Sequence, residues 1–111
     1  MKSSLPLGQF EQLVLTAILS LRDDAYGVTI HAKVVELSEP KAVSIGAVYV
    51  TLERLEQKRL VSSWLSEPTA ARGGRAKRCF ALEAVGERAL RESALTIRRL
   101  HDALTTAWGT T

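Results

Sequence analysis

The sequence predicts a mainly α chain of the α+β class: three short helices, a two-stranded hairpin and one long C-terminal helix. Three observations carry this prediction. Apolar residues recur at helical spacing in three successive segments before residue 58. Between residues 60 and 82 the period switches to two, with Pro68 and Gly73-Gly74 separating two short runs. From about residue 83 to about residue 107 the helical period returns, with no proline to interrupt it.

In the first segment Phe10, Leu13, Val14, Ala17, Ile18 and Leu21 fall on one helical face, and Arg22-Asp23-Asp24 ends it. Tyr26-Gly27 opens a second helix with Ile30, Val34 and Leu37 inward. Pro40 closes that helix, because the residue before a proline avoids helical angles. The third helix starts at Ser44, whose hydroxyl can accept a free N–H of the first turn. Val48, Leu52 and Leu55 form its inward stripe, with Gly46, Val50, Glu53 and Gln57 opposite and Tyr49 on the flank. Three helices with short connectors pack as a trihelical unit, the frame of a helix-turn-helix.

Leu60-Val61-Ser62-Ser63-Trp64-Leu65 is β-branched and aromatic and too short for a helix. Arg78, Phe80 and Leu82 alternate with Lys77, Cys79 and Ala81 as in a half-buried strand, and Trp64 reads as packing within the hairpin. Three helices followed by a hairpin is the order of a winged helix-turn-helix, the long basic loop being the wing. Residues 1–82 therefore form one unit and residues 83–111 an appended helix.

That last helix should be about 37 Å long at 1.5 Å per residue. A globule of this size has a radius of gyration near 13 Å. Leu90, Ala94, Ile97, Leu100, Leu104 and Ala107 continue an apolar stripe along it, ending at Trp108. A stripe that outruns its own domain needs another chain, so the sequence predicts a homodimer; the other reading is a helix folded back over the same domain.

The composition is 46% hydrophobic and 24% charged, a globular mix that excludes disorder as the default. Cys79 is the single cysteine, so there is no intrachain disulfide; it reads as a structural thiol. With only His31 and His101 beside it, a tetrahedral zinc site cannot be built, and no metal or cofactor is expected. No apolar run approaches the roughly 18 residues of a membrane span. Met1 to Pro6 lead into no signal-peptide core, so a cytoplasmic protein is expected. No nucleophile–base pair or phosphate loop is present, which argues against an enzyme.

The net charge of +3 is unevenly spread: −1 over residues 1–58, +4 over 59–82 and zero over 83–111. Four charges of the basic segment fall within Arg72-Gly73-Gly74-Arg75-Ala76-Lys77-Arg78. Such a cluster suggests a polyanion, with nucleic acid first; its other reading is a solvated loop.

The third-helix stretch Val43-Ser44-Ile45-Gly46-Ala47-Val48-Tyr49-Val50-Thr51-Leu52-Glu53-Arg54-Leu55-Glu56 resembles the recognition-helix signature of PadR-type transcriptional regulators. Leu7-Gly8, Tyr26-Gly27, Leu60-Val61 with Trp64, and Arg75 through Leu82 with Gly86 match the same pattern in order. The resemblance covers about residues 7–90 and is of the smaller type, with one C-terminal helix. Three positions differ: Arg59 replaces the glycine after the recognition helix, Val50 a proline, and Glu83 the threonine that caps the last helix. If residue 59 has a positive φ, arginine there costs about 1 kcal/mol relative to glycine.

The resemblance implies a homodimeric repressor bound to double-stranded DNA at an inverted-repeat operator. Ser44 and Gly46 would meet a phosphate at the helix start. Tyr49 would donate to a phosphate, and Val50 would touch a thymine methyl. Arg72, Gly73, Gly74, Arg75 and Lys77 would be the wing contacts, with Lys41 adding a phosphate contact. Leu90, Ala94, Ile97, Leu100, Leu104 and Trp108 would form the dimer interface. Some relatives bind planar aromatic molecules between subunits, so Trp108 is either dimer packing or one wall of a pocket for a small aromatic effector. The alternative from a different class is a winged-helix protein–protein interaction module that binds no DNA.

Overall fold

The computed structural model describes residues 7–67 and 76–109. Helices α1 (Gln9–Leu21), α2 (Gly27–Ser38) and α3 (Ile45–Gln57) come first, with a 3-10 turn at Arg22–Asp24 after α1. Strands β1 (Val61–Leu65) and β2 (Arg78–Leu82) follow, then helix α4 (Ala84–Trp108). This is the predicted order, with the predicted boundaries to within a residue or two.

The starts of the first three helices have local causes. Glu11 accepts the Gly8 N–H at 3.0 Å, which closes the first turn of α1. Burial pushes the Glu11 carboxyl upward. Hydrogen bonds from the Lys58 ammonium and the Gly8 N–H, with the charges of Lys58 and Arg54, outweigh this and hold it below its ordinary range. Lys58 Nζ lies 2.7 Å from Glu11 Oε2, so the end of α3 is tied to the start of α1. At α2, Thr29 Oγ1 accepts the Tyr26 N–H at 3.0 Å and donates to the Asp24 carbonyl at 2.6 Å. At α3, Ser44 Oγ accepts the Ala47 N–H at 3.1 Å, as its position predicts. Glu39, before Pro40, is extended and ends α2.

Helix α3 ends in a left-handed turn. The Leu60 N–H donates to the Leu55 carbonyl at 3.0 Å and the Arg59 N–H to the Glu56 carbonyl at 2.9 Å, with Arg59 at φ 64°. This is a Schellman closure with arginine where glycine is favoured. The expected cost is therefore real. Replacing Arg59 by glycine relieves left-handed strain but loosens the unfolded chain, for a net gain of about 1 kcal/mol or less. A urea midpoint that rises in Arg59→Gly with an unchanged slope checks this; a lower midpoint would count against it.

The core joins Val14, Leu15, Ala17 and Ile18 of α1, Ile30 and Val34 of α2, and Val48, Leu52 and Leu55 of α3. Val61 and Phe80 seal it from the hairpin. Two expectations need correction. Leu37, expected inward, is 43% exposed, because it lies in the last turn of α2, which ends at Ser38. Leu15, off the predicted stripe of α1, is fully buried, because α1 is covered on more than one side, with α2, α3, β2 and α4 all against it.

Strands β1 and β2 pair antiparallel, from Val61 opposite Leu82 to Leu65 opposite Arg78. The half-buried alternation expected of β2 is also incomplete: Cys79 and Phe80 are both buried. The extended segment at Ala25–Tyr26 lies along the second edge of β2. The Phe80 N–H donates to the Ala25 carbonyl at 2.9 Å, and Tyr26 bridges to Cys79.

Among the described residues helix α4 is held over its first two turns. The Glu83 N–H donates to the Leu60 carbonyl at 2.9 Å, while the Glu83 side chain makes no capping bond. Leu90 packs partly against the core, and the helix then leaves it. The chain is accordingly elongated, 57 × 39 × 21 Å, with a radius of gyration of 16.2 Å. Among the described residues no helix is long and apolar enough to cross a membrane.

Candidate nucleic-acid interface

Helix α3 buries Val48, Thr51, Leu52 and Leu55 and turns its other side to solvent. That open side begins with Ser44 and Gly46, both exposed. A side chain at Gly46 would meet nothing closer than Ser44 Oγ at 4.0 Å, so the start of the helix is unobstructed. Tyr49 and Val50 follow, 48% and 55% exposed. Glu53 is exposed on the same side. Lys41 stands exposed on the turn before the helix. Lys41, Ser44, Gly46, Tyr49 and Val50 are thus all exposed, on α3 or on the turn that leads into it.

The turn into α3 is held by a residue that sequence reasoning left aside. His31 Nε2 lies 2.7 Å from the Val43 carbonyl, one residue before the capping Ser44. Twelve positions separate the two residues, so no local pattern announces the contact.

Lys77 sits at the base of the wing, and its Nζ is held 3.6 Å above the centre of the Tyr26 ring, a cation–π contact. The same ammonium is 4.0 Å from Asp24 Oδ1. Arg78 donates to Ser63 Oγ at 2.9 Å, and Ser63 donates to Glu56 at 2.7 Å, which ties the hairpin to α3. Arg72, Gly73, Gly74 and Arg75, the expected wing tip, lie outside the described residues. Trp64 stands opposite Cys79 in the hairpin and is 47% exposed, so hairpin packing covers only part of it.

Along α4 the apolar residues after Leu90 stand exposed among the described residues. Ala94, Ile97, Leu100 and Leu104 are exposed, and Trp108 is 77% exposed. Leu95 is also exposed but points away from this stripe, as its helical position requires.

A trihelical core, a capped third helix with an open outer side, and a hairpin tied to it define a winged helix-turn-helix of the DNA-binding class. Residues 14–92 match the Transcriptional regulator PadR-like family. A PadR family transcription regulator from Clostridium difficile is 27% identical, with TM-score 0.76 over 92% of this chain and 100% of that one. A PadR-like transcription factor from Bacteroides fragilis is 26% identical, with TM-score 0.68 over 90% of each chain. The Aeropyrum pernix ORC1 protein, solved in complex with DNA, is 25% identical, with TM-score 0.62 over 83% of this chain and 26% of that one. A search of curated proteins gives no match. The chain belongs to the PadR-like family of transcriptional regulators, which are DNA-binding proteins and not enzymes.

Proposed function

We propose that this regulator is a cytoplasmic homodimeric repressor that grips an inverted-repeat operator. The observation that carries the dimer is the uncovered apolar stripe of α4, from Ala94 to Trp108. A monomeric soluble protein rarely leaves so long an apolar strip in water. Two-fold symmetry then sets two α3 helices in successive major grooves, about 34 Å apart or a multiple of that. Ser44 and Gly46 approach a phosphate, Tyr49 donates its hydroxyl to one, and Val50 reads a thymine methyl. Lys41 and the wing cations Arg72, Arg75 and Lys77 neutralise phosphates, the arginines favouring the narrow minor groove. Trp108, at the end of the stripe, packs in the dimer; a second reading makes it one wall of a pocket for a small aromatic effector.

The test is the salt dependence of DNA binding. Lys41, Arg72, Arg75 and Lys77 of both protomers give about six to eight phosphate contacts, and hence a log–log slope of about −5 to −7. Arg75→Ala should weaken binding to operator and scrambled duplexes alike and reduce the slope by about 1 to 2 per dimer. A wild-type slope near zero, or no binding at low salt, returns the chain to a protein-interaction module. An unchanged slope in Arg75→Ala takes the wing off the DNA.

A further inference from the structure

We infer that Gly27 is a positioning residue for DNA binding: its bare Cα is the seat on which the recognition-helix residue Tyr49 rests. This rests on the DNA-binding reading above. Gly27 is the first residue of α2 and is buried, although it lies outside α3 altogether. Its backbone is not in the left-handed region, so conformation does not demand glycine there. Space does. A Cβ on Gly27 would fall inside the Tyr49 phenol, overlapping the hydroxyl oxygen, Cζ and Cε1.

The consequence is a fixed hydroxyl. Tyr49 is half exposed on the outer side of α3, where a tyrosine would ordinarily explore several rotamers. Contact with the first turn of α2 holds it in one. Its hydroxyl makes no hydrogen bond among the described residues, so the donor is set in place and left open. Tyr26, the preceding residue, does the matching task for the wing by holding the Lys77 ammonium over its ring. Tyr26-Gly27 therefore fixes a neutral donor from α3 and a cation from the hairpin at the same end of α2. Any side chain at residue 27 pushes the phenol aside. The phenol is the end of a flexible side chain, so it swings away rather than breaking the fold.

The experiment uses the full chain with two probes, a duplex of the DNA upstream of its own coding sequence and a random-sequence duplex, each at several salt concentrations. A phenol–phosphate hydrogen bond carries no charge, so losing it should weaken both duplexes by about tenfold and leave the salt slope unchanged. Tyr49→Phe and Gly27→Ala should each show this pattern. The double variant should bind no more weakly than Tyr49→Phe, because the hydroxyl that Gly27 positions is already gone. A purely structural role for Gly27 would instead lower the thermal midpoint and multiply the two losses.

Wild-type affinity in Gly27→Ala, or multiplied losses in the double variant, overturns the proposal. Should Gly27→Ala unfold the protein, Tyr49→Ala supplies the room: in that background Gly27→Ala should melt no lower than Tyr49→Ala alone. A lower midpoint there assigns the glycine to packing other than Tyr49 and overturns the proposal. Failure of the wild type to bind either duplex at low salt overturns the DNA reading and this role with it, whereas failure confined to the variants overturns this role alone.

Discussion

Cutting the chain after Leu90 should yield a folded monomer that has lost tight DNA binding. The cut removes Ala94, Ile97, Leu100, Leu104 and Trp108, all exposed in the single chain. It leaves untouched every residue of the buried core, which ends at Phe80. Stability of the winged unit should therefore survive, while the surface that joins two copies disappears. One half-site per molecule then replaces two linked ones, and linkage multiplies affinity by roughly 10² to 10⁴. Operator affinity should fall at least about a hundredfold on that basis, with a far-ultraviolet spectrum of the trihelical unit retained. Sedimentation decides the first step: a full-length chain that is monomeric at micromolar concentration removes the dimer from the proposal.

Gly86→Ala should destabilise the fold sharply. Glycine in the first turns of a helix is ordinarily a weakness, and alanine gains about 0.5–1 kcal/mol there. Here the sign reverses. A Cβ on Gly86 would overlap the Leu60 carbonyl, a backbone group and not the tip of a movable side chain. That carbonyl also accepts the Glu83 N–H, so retreating from the new methyl would sacrifice the bond that fixes the start of α4. The Leu60 N–H closes the Schellman turn of α3, so one residue ties the end of α3 to the start of α4. Overpacking of this kind costs about 2–3 kcal/mol. In a domain of this size the melting midpoint should drop by about 10 °C or more. An unchanged midpoint would mean that α4 starts with more freedom than the contact implies.

Local rules made most of the fold legible. Ser44 announced the start of α3 by its hydroxyl, and the hydroxyl indeed caps it. The glycine that the family pattern carries at residue 59 raises the question of a positive φ there, and the φ of Arg59 is 64°. The exposed face of α3 followed from the periodicity of Val48, Leu52 and Leu55. What escaped were contacts between residues far apart in sequence. Gly27 under Tyr49 spans 22 positions, and His31 at Val43 spans 12, and neither leaves a periodic trace. Leu15 was missed because a single-stripe rule assumes one covered side, while α1 is covered on several. Leu37 was overestimated because the stripe rule knows nothing of where neighbouring elements stop. The period-two rule sets Cys79 and Phe80 on opposite faces and does not foresee the second neighbour of β2, beside which both are buried.

An isolated two-stranded ribbon is marginal in water. The hairpin escapes this because Ala25–Tyr26 adds a third rung beside β2, contributed by the connection between α1 and α2. The base of the hairpin consequently belongs to the same cooperative unfolding unit as the helices, and cannot fray alone without breaking into the entrance of α2. Among the described residues the outer edge of β2 is thus covered at Cys79 and Phe80, where a stray strand would otherwise pair.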